Sequence, residues 1–220
     1  MVGAWTGNGD DPDPAGDEVF NVAATATPTA TATRTPVPAT ETATPSATAS
    51  PTETPTPTPT PYAGAVDRLQ IPRFNVDSDI EAIGLIPGTN QLDTPHDPHN
   101  TGWYEIYDRP GWRGNAVFSA HVDYFPNIRG PFYNLARMEL DDEVVVVMDN
   151  GERYTYEVIR KQRYTVSGIP MGDIIWPDDR PEGEEWITLI TCGGEFRATS
   201  PSGAGEYLHR DVVVARRVAE

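Results

Sequence analysis

Ile187-Thr188-Leu189-Ile190-Thr191-Cys192-Gly193-Gly194 is the stretch on which the reading of the chain turns. A short apolar run rich in β-branched residues and closed by glycine predicts a buried strand. It ends in Cys192, the only cysteine among 220 residues. A lone thiol has no internal disulfide partner, so it is either a small buried hydrophobe or a reactive group. Two features favour the second. Side chains at a strand end become reachable, and the paired glycines let a second chain or a substrate backbone come close.

Outward from this run the chain reads as short strands with Gly/Pro punctuation. They fall at 67–71, closed by Pro72; at 80–84, halted by Pro87-Gly88; at 115–120; and at 143–148, which holds four successive valines. Asp149-Asn150-Gly151 then predicts a hairpin turn. Residues 153–160 alternate, with Tyr154, Tyr156 and Val158 on one face, and 162–166 continues them past a bend. A last strand is expected at 211–218, and only 132–137, after Gly130-Pro131, reads as a helical turn. About eight such strands predict an all-β domain, either a closed barrel or a sandwich.

Composition divides the rest. Residues 1–23 are acidic and Gly/Asp-rich without an apolar period, and are expected to be disordered. Residues 24–61 are almost wholly Thr, Pro, Ala and Ser and end in strict Thr-Pro alternation. Repeated proline blocks helix and sheet ladders, so this segment predicts an extended stalk or linker, with the folded domain spanning 62–220. The formal net charge of −17 and pI near 4.5 exclude nucleic acid as a partner, because phosphate binding needs basic stripes. No run approaches the roughly 18 apolar residues that cross a bilayer. Any membrane attachment is therefore expected through an anchor not seen in this sequence.

Among four histidines, His121 stands out: it ends the apolar strand 115–120 and opens a polar turn, a placement suited to a cleft. His96 and His99 flank Asp97 in a proline-bearing loop, but no third or fourth ligand accompanies them, so no metal and no cofactor are assigned.

Thr188-Leu189-Ile190-Thr191-Cys192 resembles the TLxTC signature of the sortases, the cysteine transpeptidases of bacterial cell surfaces. Leu69-Gln70-Ile71-Pro72 with Asn75-Val76-Asp77 resembles their first-strand pattern. Gly102-Trp103-Tyr104, Pro110-Gly111-Trp112-Arg113-Gly114 and Cys192-Gly193-Gly194-Glu195-Phe196 are similar to segments of the class F-like and class E-like members. Ala120 departs from the glycine those proteins carry before the histidine. Arg210-Asp211-Val212-Val213-Val214-Ala215 fits the last-strand pattern that an arginine opens, with Arg197 as the runner-up. The resemblance spans 66–218.

What it implies is a closed sortase-type barrel with Cys192 as nucleophile, His121 as general acid and base, and Arg210 as the donor to substrate and oxyanion. Thr191, Gly193 and Arg197 are expected at the substrate. The chemistry suits these residue types. A thiolate attacks an amide carbonyl, an imidazole protonates the leaving amine near neutral pH, and a permanently charged guanidinium stabilises the oxyanion. The implied partners are surface proteins with a C-terminal LPxTG-like sorting motif and an amine nucleophile from cell wall or pilin. The implied location is the extracellular side of a bacterial cell envelope. A cysteine hydrolase on the same scaffold, or a non-catalytic surface-display domain, are the alternatives.

Overall fold

The computed structural model describes residues 60–200 and 205–218. The expected disordered segment 1–23 and the stalk up to residue 59 lie outside the described residues. Ten strands run in chain order: β1 (Val66–Ile71), β2 (Val76–Ile83), β3 (Thr101–Tyr104), β4 (Gly114–Ala120), β5 (Asp123–Tyr124), β6 (Ile128–Arg129), β7 (Glu143–Met148), β8 (Arg153–Thr165), β9 (Glu185–Ala198) and β10 (Gly205–Arg217). Eight close a barrel in the order β1-β2-β3-β4-β9-β10-β8-β7, with β5 and β6 pairing apart as a small hairpin. The β2–β3 and β4–β9 pairs are parallel and the other barrel pairs antiparallel. The closed barrel, rather than the sandwich, is thus the architecture.

Period-two alternation sorts the wall residues into two layers. Phe118 of β4, Ile187 and Leu189 of β9, and Val213 and Ala215 of β10 point into the barrel with Leu69, Tyr156 and Val146. Val117, Trp186, Ile190, Val212 and Val214 belong to the opposite face, where Ile174 and Ile175 of a short helix, α1 (Met171–Ile175), cover them. The strands β4, β9 and β10 are buried on both faces for this reason, which is why they read as continuous apolar runs.

Several boundaries differ from expectation. Strand β3 carries no strand signal in the sequence: its four residues are all buried, so no alternation marks it. Residues 153–160 and 162–166 are one strand, β8, and β2 begins four residues earlier than the pattern suggests. Between residues 132 and 137 the backbone makes successive turns ending in a single 3₁₀ turn, Leu135–Arg137. Among the described residues the α-helix is α1 instead, hidden because its five residues, set between Pro170 and Pro177, are too few to show a period.

The largest difference lies at the glycine pair. Strands β9 and β10 do not stop there but continue as a long hairpin, with Phe196 facing Tyr207 and Gly205 facing Ala198. The register shifts between Tyr207 and His209, opposite Gly194, whose φ of 72° is left-handed. Glycine serves here as the pivot of a β-bulge and not as a strand end.

Candidate active site

The alternation that builds the wall also aims three side chains. In β9 the residues Trp186, Ile190 and Cys192 share one parity; in β10 so do Val214, Val212 and Arg210; in β4, Val117 and Ser119 lead to His121 just past the strand end. These are the outward faces of three adjacent strands. Arg210 and Cys192 are direct partners across the β9–β10 ladder. The β4–β9 ladder pairs Ser119 with Ile190, which brings the end of β4 alongside Thr191 and Cys192. His121, Cys192 and Arg210 together line one cleft of about 410 Å³.

One wall of the cleft is the loop between β2 and β3, residues 90–95, and another is apolar, with Ile169, Met171 and Ile175 meeting Leu92 of that loop. Tyr104 ties that loop down: its hydroxyl donates to the Asp93 carbonyl at 2.7 Å and lies 2.9 Å from the Ser119 hydroxyl. The Nε2 of His121 lies 2.9 Å from the Pro95 carbonyl. A carbonyl only accepts, so Nε2 carries the proton in the neutral ring. Nδ1 has no hydrogen-bond partner among the described residues. The ring also meets Tyr124 edge-on at 5.2 Å, and the His121 carbonyl accepts from the Phe132 amide.

Cys192 is half-buried. Burial pushes its thiol up, the guanidinium of Arg210 pulls it back, and Asp123 pushes it up again. Arg210 donates only to the backbone carbonyls of Tyr207 and His209 among the described residues, so its charge is not spent on a carboxylate. Asp123 accepts from the Tyr207 hydroxyl at 2.6 Å. Burial and that carboxylate drive the Tyr207 hydroxyl well above its ordinary range.

Of the other expected site residues, Thr191 also lines the cleft, whereas Gly193 and Arg197 do not. The Thr191 hydroxyl is buried and donates to the Ala120 carbonyl at 2.7 Å. It joins the residue before Cys192 to the residue before His121. Gly193 faces away from the cleft: a Cβ built on it would stand 2.0 Å from Oδ2 of Asp211, and one on Gly194 would stand 2.4 Å from Nδ1 of His209. What the two glycines admit is the neighbouring strand. Arg197 lies on the exposed hairpin extension, ion-paired with Glu206 and away from the cleft. Asp211, beside Arg210, is buried and takes a two-pronged ion pair from Arg163. His96 and His99 turn to different carboxylates, Glu81 and Asp97.

A closed barrel with a thiol, an imidazole and a guanidinium that meets no carboxylate among the described residues, all on one outer wall, has the makings of a cysteine acyl-transfer protein. A family model, "Sortase domain", matches residues 69–218, and the chain belongs to the sortase family. Among solved structures it is similar to sortase A from Corynebacterium diphtheriae, at 22% identity and a TM-score of 0.52 over 70% of this chain and 61% of that one. It is also similar to sortase C-1 from Actinomyces oris, at 21% identity and a TM-score of 0.51 over 70% of this chain and 73% of that one. The chain spans 61% of the diphtherial protein's length. No curated protein matches it. Among the described residues no helix is long and apolar enough to cross a membrane.

Proposed function

We propose that the protein is a sortase of the class F-like or class E-like kind, a transpeptidase that cleaves an LPxTG-like sorting signal between Thr and Gly and passes the acyl group to an amine. The observation that carries this reading is the shared cleft: Cys192 opposite Arg210 on one ladder, with His121 at the end of the adjoining strand. The apolar wall of Leu92, Ile169, Met171 and Ile175 suits the leucine and proline of such a signal.

The thiol rests protonated, since burial favours the neutral form. His121 takes that proton at Nδ1 as the sulfur attacks the threonine carbonyl. Arg210 stabilises the oxyanion. The tetrahedral intermediate collapses to a thioester as His121 gives the proton to the departing glycine amine. An acceptor amine then attacks the thioester, its surplus proton returns through His121, and the sulfur leaves as thiolate. Thr191 holds the two strand ends together while this happens.

The test incubates the full chain with an LPxTG peptide and a glycine-based amine, beside Cys192→Ala. Amine-dependent ligated product from the parent alone is expected. Equal product from both proteins refutes the mechanism, and release of the free acid regardless of amine reassigns the activity to hydrolysis.

A further inference from the structure

The Pro95–His96 peptide stands between a carboxylate and the imidazole of the site. We propose that Glu81 positions His121 through this one peptide group: its carboxylate holds the His96 N–H, and the carbonyl at the other side of the same plane, that of Pro95, holds Nε2 of His121. Nδ1 is thereby left as the nitrogen that exchanges protons. The inference rests on the reading of His121 as the acid and base of the reaction.

Glu81 lies in β2, two strands away from β4, and its own strand neighbour is Gly102. Its Oε2 accepts the His96 backbone N–H at 2.9 Å, and its Oε1 accepts the Asp97 backbone N–H at 2.9 Å and the Asn100 side-chain amide at 3.0 Å. The His96 ring adds a contact at 3.2 Å. All these donors come from the segment just after Pro95. The Pro95 carbonyl shares one peptide plane with the His96 N–H, so whatever holds that N–H also fixes the direction of the carbonyl. The only cis peptide among the described residues is Phe125-Pro126, so the Pro95–His96 unit is trans and planar. In such a plane the N–H and C=O point in opposite directions. Fixing the N–H against Glu81 therefore aims the Pro95 oxygen, which lies 2.9 Å from Nε2 of His121.

Charge strengthens the chain of bonds. Hydrogen bonds to an ionised acceptor are shorter and stronger than neutral ones, and a peptide that donates to an anion becomes a better acceptor at its oxygen. Burial opposes ionisation of Glu81, but the bonds from His96, Asp97 and Asn100 outweigh it and hold the carboxyl below its usual range. Pro95 is itself buried and packs over Gly102, where a Cβ would come within 3.1 Å of its ring. The loop is thus supported beneath as well as clamped at its side.

The test uses the full chain labelled with ¹⁵N-histidine, with the His121 signals assigned by their loss in His121→Gln. Two-bond ¹H–¹⁵N correlation near neutral pH reads the tautomer. The parent should show a protonated Nε2 and a bare Nδ1. In Glu81→Ala the two tautomers should mix, and kcat for peptide transfer should fall about 10-fold or more while KM rises less, as small misplacements of a reacting group do. Glu81→Gln keeps one acceptor oxygen and should lie between. His96→Ala keeps the backbone N–H and should leave the tautomer unchanged. An unaltered tautomer in Glu81→Ala, or activity equal to or above the parent, overturns the proposal. The tautomer reading needs no turnover, so it stands or falls even if no sorting peptide is cleaved.

Discussion

Gly193→Ala tests the packing directly behind Cys192. The new methyl would lie 2.0 Å from Oδ2 and 2.7 Å from Cγ of Asp211, so the carboxylate must retreat by more than about 1 Å to reach ordinary contact. It cannot retreat freely. Arg163 grips it by Nε at 2.7 Å and Nη2 at 2.9 Å, and Asp211 is buried in the barrel wall. Overpacking costs about 1–3 kcal/mol, and loss of one charged hydrogen bond about 1.5–3 kcal/mol. Arg163 is half-exposed and can follow part of the way, so a net loss of about 3 kcal/mol is expected. At roughly 2–4 °C per kcal/mol for a domain of this size, Tm should fall by about 6–12 °C. The assay is thermal and urea unfolding of Gly193→Ala, Asp211→Ala and the double variant. With the carboxylate gone the methyl has room, so the double variant should unfold within about 0.5 kcal/mol of Asp211→Ala. Gly193→Ala unfolding like the parent, or strictly additive losses in the cycle, would refute the reasoning.

Further outcomes are expected at three sites. Thr191→Val removes the hydroxyl that bonds the Ala120 carbonyl and should cost about 1–2 kcal/mol in urea unfolding, with a kcat loss that Thr191→Ser restores. Cys192 should react with iodoacetamide at a rate still climbing above pH 8.5, because burial raises its thiol; Asp123→Asn should move that climb to lower pH and Arg210→Ala to higher. The raised thiol also means that its contribution to stability is full below the unfolded cysteine pKa and is lost as pH rises through the folded one. Cys192→Ser should flatten this alkaline fall in ΔG. Glu185, half-buried, is raised chiefly by burial, against hydrogen bonds from Tyr156 and the Gly111 amide. Stability linked to it is therefore present below the unfolded glutamate pKa and declines as pH climbs through the folded one, and Glu185→Gln should remove that decline in pH-dependent urea unfolding.

Sequence by itself determined a good deal here. Valine runs and Gly/Pro punctuation made the strands of β4, β7 and β10 legible, because a strand buried on both faces has little choice of residue. The short motifs around Cys192, His121 and Arg210 named the family and the three side chains that share the cleft. They did so because a family signature is residue type at a given spacing along the chain, which a sequence carries directly.

Only the tertiary structure decided the rest. That the Thr191 hydroxyl meets the Ala120 carbonyl depends on a register between β4 and β9, strands separated by more than sixty residues of chain. Along the chain Gly193 and Gly194 read as room for a second chain or a substrate backbone, and it is Asp211 and His209 of the next strand that stand against them. Glu81 and Pro95 carried no motif at all. Their role arises from one peptide plane between a carboxylate and an imidazole, and such a direction in space is set when strands close into a barrel, not by neighbours along the chain.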